Sequence, residues 1–85
     1  MAETLRHDLA QHFGVGAPQV DTFMRLEAVK LATGLGRSTI YDLVAAKRFP
    51  GPVKINGGRA VAWLASEIAQ WQQSRIAERD QKAAA

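Results

Sequence analysis

Apolar positions change their period several times along the chain. In residues 3–13, Leu5, Leu9, His12 and Phe13 recur at helical spacing and predict a short amphipathic helix, which Gly14, Gly16 and Pro18 end. From Phe23 a short extended stretch leads into a second helix, where Leu26, Val29 and Thr33 share a face and Gly34-Leu35-Gly36 is the stop. A third helical segment, residues 37–48, puts Ile40, Leu43, Val44 and Lys47 on one side. Ser38, Thr39, Asp42 and Ala46 fall near the other. Phe49-Pro50-Gly51-Pro52 closes it, because proline cannot continue the hydrogen-bond ladder and disfavours helix in the residue before it.

The period then shortens to two. Val53 and Ile55 alternate with Lys54, and Val61 and Trp63 alternate with Ala60 and Ala62. Asn56-Gly57-Gly58 between these runs predicts a tight hairpin over residues 53–63. The last segment returns to helical spacing, with Leu64, Ile68, Trp71 and Arg75 in one row and Ala65, Ala69 and Ile76 beside it. The tail from Asp80 carries no apolar stripe and is expected to fray. The pattern is mainly α with a small β-hairpin. It divides into an arm (1–22), a folded domain (23–79) and a tail (80–85).

A chain of 85 residues is read as one domain, near the lower size limit for a core without disulfides or metal. It has no cysteine, which removes disulfides, thiolate metal sites and cysteine nucleophiles and suits a cytoplasmic setting. Its apolar runs are too short for a membrane span, and the start lacks the apolar core of an export signal. His7 and His12 lie on different helical faces, so no metal pair is expected. No paired carboxylates or histidine-centred constellation point to catalysis, and neither a cofactor nor a small-molecule substrate is indicated.

Charge sharpens the picture through its distribution. The net charge is +3, but between Ala28 and Trp63 six basic residues face the single acid Asp42, whereas elsewhere five basic residues face seven acids. Two short helices joined by Gly-Leu-Gly cross steeply, with Gly34 supplying a positive φ, Leu35 filling the angle and Ile40 locking the second helix onto the first. A basic hairpin follows at once. That order predicts a winged helix-turn-helix in which residues 37–48 read the major groove of double-stranded DNA and the hairpin is the wing.

On the reading helix, Arg37 has the side chain suited to a bidentate guanine contact. Ser38 and Thr39 are open to two roles, DNA contact or capping of the helix start. Tyr41 can reach a phosphate while its ring covers core, and Asp42 can accept from cytosine N4 or pair with a neighbouring arginine. Lys47 and Arg48 suit the helix dipole or a phosphate. In the wing, Lys54 and Arg59 flank a slim tip at Asn56 and Gly58, which can approach the backbone or the minor groove. Trp63 and Trp71 are assigned to packing.

Residues 25–79 resemble the AlpA family of prophage regulators, which is related to MerR-type winged helices and phage excisionases. The resemblance is carried by Thr33-Gly34-Leu35, Arg37-Ser38-Thr39-Ile40-Tyr41, Phe49-Pro50, Gly58-Arg59-Ala60-Val61, Trp63 and Trp71. It implies sequence-specific DNA binding in transcription or prophage excision and brings no catalytic residues. Gly36, Asp42 and Lys30 depart from the family pattern, standing where a serine cap, a basic residue and an apolar residue are common. Two alternatives stay open. One is a recombination directionality factor that bends an attachment site and contacts an integrase or further copies of itself. The other is a protein-interaction module using Leu64, Ile68, Trp71 and the arm.

Overall fold

The computed structural model describes residues 19–84. The expected helix over 3–13 and both histidines lie outside them. Within them the order is β1 (Phe23–Met24), α1 (Leu26–Thr33), α2 (Arg37–Ala45), β2 (Val53–Ile55), a 3-10 turn (Asn56–Gly58), β3 (Ala60–Leu64) and α3 (Ala65–Ala84). The extended stretch at Phe23 proves to be a third strand. The sheet is antiparallel in the order β1-β3-β2, with Met24 opposite Trp63 and Lys54 opposite Val61.

The turn between α1 and α2 follows the sequence expectation. Gly34 has φ 76°, and its N–H donates to the Lys30 carbonyl at 2.8 Å, which ends α1. Thr33 ties the corner together, its hydroxyl donating to Val29 O at 2.7 Å and accepting from the Leu35 N–H at 3.2 Å. Leu35 packs against the core beside Val29 and Ile40, both fully buried. Trp63 completes that centre from the middle strand and is also wholly shielded from solvent. Phe49 and Ile68 add to the same cluster.

The α2 helix is shorter than its pattern predicts, ending at Ala45 rather than 48. The Arg48 N–H donates to Leu43 O at 2.9 Å and the Lys47 N–H to Val44 O at 3.0 Å, the reciprocal pair that closes a helix around a left-handed residue. That residue is Lys47, at φ 59°, a position where glycine is usual. Lys47 is therefore exposed beyond the helix, not on the apolar side of α2.

The hairpin also differs from a two-residue turn. Ile55 pairs with Ala60, leaving a four-residue loop in which Asn56, Gly57 and Gly58 all have positive φ, 51°, 65° and 85°. This register sets Val53 and Ile55 opposite Ala62 and Ala60. Lys54 thus shares the sheet face of Val61 and Trp63, although it stays exposed.

α3 continues through Ala84, where a frayed tail was expected from Asp80. Exposed ion pairs run along this end, Arg79 with Asp80 at 2.9 Å and Lys82 with Glu78 at 3.8 Å, and each is of small energetic weight. The row Leu64, Ile68 and Trp71 is not a free surface. Ile68 is buried, Trp71 packs against the core, and Leu64 is half-buried in β3.

The start of α3 is held from far away in sequence. Asp21 accepts from the Ser66 hydroxyl and from the Ser66 N–H, and the Ala65 N–H donates to Thr22 O at 2.8 Å. The Ser66 hydroxyl holds the Asp21 carboxyl below its ordinary titration range. A carboxyl that titrates lower in the folded state stabilises the fold at neutral pH and loses that contribution as pH falls through its folded pKa. Asp21→Asn should lower Tm at neutral pH, with the gap between the two Tm values shrinking as pH falls below the ordinary carboxylate range. A gap in Tm independent of pH would assign the effect to shape rather than charge.

Candidate nucleic-acid interface

Core packing fixes which side of α2 is free. Ile40 is buried, Leu43 and Val44 are half-buried, and the three define the back of the helix. At 100° per residue the opposite ridge is Ser38, Asp42 and Ala45, all exposed. Arg37 and Tyr41 occupy one flank and Thr39 the other. The middle of the free face is thus short and polar, with Asp42 at its centre.

No side chain caps the start of α2; Gly36 stands there in extended conformation, and Ile40 N–H donates to its carbonyl at 3.0 Å. The capping role open to Ser38 and Thr39 is not used. Among the described residues Asp42 makes no ion pair either, so its carboxylate remains free for an outside donor. The Tyr41 ring meets Trp63 edge-on at 6.0 Å, and the Arg37 guanidinium lies 5.8 Å from the Tyr41 ring centroid. That stacking turns Arg37 away from the centre of the helix front and towards the wing.

The expected contacts separate into two groups. Arg37, Tyr41, Gly58 and Arg59 line one hollow of about 380 Å³ between α2 and the wing. Arg25, which precedes α1, borders the same hollow and had no place among the expected contacts. Its sequence neighbours are acidic or apolar, and only its position just before a helix start hinted at a role. Lys47 and Arg48 border a different depression of about 440 Å³ at the far end of α2, shared with Glu67, Gln70 and Trp71 of α3. Lys54 and Asn56 are exposed on β2 and at the wing tip.

The segment between α2 and β2 sets where the wing stands. The Trp71 indole N–H donates to Arg48 O at 3.2 Å and the Trp63 indole N–H to Pro50 O at 2.9 Å. Between these two carbonyls the Phe49 ring packs edge-on against Trp71, 4.9 Å between centroids. Both tryptophans therefore pack, as the sequence indicates, and both also fix backbone carbonyls. Among the described residues no group of acids and histidines is placed to hold a metal ion. No helix there is long and apolar enough to cross a membrane.

Two short helices around a glycine corner, a three-stranded antiparallel sheet whose hairpin stands beside the second helix, and a closing helix define a small winged helix-turn-helix-like protein. The chain belongs to the AlpA family: the profile described as "Prophage CP4-57 regulatory protein (AlpA)" matches residues 22–76. It is also 46% identical over 59 residues to the uncharacterized protein ORF88 of Enterobacteria phage P4. That similarity covers 69% of this chain and 66% of the relative, so the chain spans just under two thirds of the relative's length. No solved structure matches the chain significantly. The family match includes all the candidate contacts and Arg25, and it excludes the residues before Thr22 and the last turns of α3.

Lys47 offers a way to separate folding from contact. An L-residue in the left-handed region costs about 1–2 kcal/mol, part of which glycine returns through its own chain entropy. Lys47→Gly should therefore leave stability unchanged or raise it by up to about 1 kcal/mol, measured by urea unfolding. A clear loss of stability would mean that the lysine side chain, not the backbone turn, holds this corner.

Proposed function

We propose that this protein is a non-enzymatic, sequence-specific regulator acting on double-stranded DNA in a phage or prophage setting. In this reading α2 lies in the major groove, and the loop of residues 56–59 reaches the neighbouring backbone and minor groove as a wing. The observation that carries it is the free face of α2, polar and without structural duty, flanked by cations that the fold leaves exposed. Membership of a family of prophage regulatory proteins supports the same reading.

The helix geometry redistributes roles along α2. Ser38 and Asp42, at the centre of the front, are assigned to base edges, and Thr39 to the far flank. A carboxylate accepts from cytosine N4, whereas an amide pairs best with adenine. Tyr41, with Lys47, Arg48, Lys54 and Arg59, is assigned to the sugar-phosphate strands, where contacts set register without reading sequence. Asn56 and Gly58 form the slim tip that lets the wing come close.

Selection of bound duplexes from a random library, followed by binding measured across a salt series, tests this directly. With about five phosphates neutralised, the log–log slope of affinity against salt should be about −4 to −5. Asp42→Asn should move base preference at one position away from cytosine, and Arg59→Ala should weaken binding to all sequences alike. A flat salt response, or no enrichment of any sequence, would sink the proposal.

A further inference from the structure

The hollow of about 380 Å³ lies between two elements that the proposed docking sends into different grooves. Arg37 and Tyr41 form its α2 wall, Gly58 and Arg59 its wing wall, and Arg25 enters from the start of α1. All three arginines are exposed. Among the described residues the ion pairs join Lys30 to Glu27, Arg75 to Glu78, Arg79 to Asp80 and Lys82 to Glu78, and none involves Arg25, Arg37 or Arg59. The one acid on the rim, Glu27, has its carboxylate 3.2 Å from the Lys30 ammonium. Three like charges bordering one hollow repel each other until an anion enters it, and guanidinium groups match the oxygens of a phosphate.

The identity of that anion follows from the shape of the duplex. Major and minor grooves of B-form DNA are separated by a sugar-phosphate strand. A protein with α2 in one groove and the 56–59 loop in the next straddles that strand, and the hollow between the two elements is where it passes. We propose that Arg25, Arg37 and Arg59 form a cradle for a backbone phosphodiester, with Arg25 supplying a contact from outside both the reading helix and the wing. The proposal rests on the DNA-binding reading above, and it gives Arg37 a phosphate in place of the guanine that its residue type suggests.

Binding of the full chain to its selected duplex, with one linkage at a time replaced by neutral methylphosphonate, tests the cradle. One linkage should cost the wild type affinity and cost Arg25→Ala measurably less, because one of the three charges that meet it is already gone. The salt slope of Arg25→Ala should be less negative, by at most about 0.9, with base preference and Tm unchanged, and Arg25→Lys should restore the slope. Arg37→Ala should likewise make the slope less negative and keep the selected sequence. An unaltered slope for Arg25→Ala, or a change of base preference in Arg37→Ala with no coupled linkage, overturns the cradle and leaves the DNA-binding reading standing. Saturable shifts of the arginine side-chain resonances with orthophosphate at constant ionic strength, without a coupled linkage, would make it a free-anion site and also overturn it. Failure of the wild type to retain any duplex at low salt would remove both readings.

Discussion

Two indole N–H groups hold α2 and the wing in register. No strand or helix spans the stretch from the left-handed Lys47 to Pro52, so its placement cannot come from a regular ladder. Trp63 and Trp71 instead reach the carbonyls of Pro50 and Arg48, and buried Phe49 is gripped between them. Each such bond contributes about 0.5–1.5 kcal/mol net, with the half-buried one to Pro50 weighing more than the exposed one to Arg48. Trp63 also belongs to the middle strand and meets Tyr41 on α2, so one side chain joins the sheet, the connection and α2.

The α3 helix plays the matching part from the other side. Its first turn is anchored to Asp21 and Thr22, Gln72 donates to the Ala32 carbonyl at 2.8 Å, and Trp71 carries the bond to Arg48. One helix thus fastens the entry to β1, the end of α1 and the exit from α2. The apolar row that made α3 look available to a partner is consumed by this work. The polar remainder runs on as an exposed helix that carries alternating charges.

Much of the fold could be read from local signals because those signals act locally. Gly34 between two amphipathic runs means a left-handed corner wherever it occurs, and Ile40 and Val29 announce their burial by spacing. The end of α2 was harder, since Ala45 and Ala46 are strong helix formers and nothing before Phe49 looks like a stop. There a lysine takes the left-handed position that usually reveals itself as glycine. The pairing of β1 with β3 was hidden for a different reason. Two residues are too few to show a period, and their partner lies some forty residues away. The face of Lys54 depended on a four-residue loop, and Asn-Gly alone suggested a shorter one. Site residues divide along the same line. Those on α2 could be placed by helical arithmetic, whereas Arg25 became visible only when the fold set the start of α1 beside the wing.

The separation of duties within α2 has an evolutionary consequence. Its back, Ile40 with Leu43 and Val44, is committed to the core, while Ser38, Asp42 and Ala45 contact nothing the fold needs. Substitutions at Ser38 and Asp42 are therefore close to free in stability, and on the proposed reading each redirects target choice. On that reading, a lineage whose control sequences change can follow them by drifting at these two positions, keeping the corner, the indole clasps and the wing as inherited.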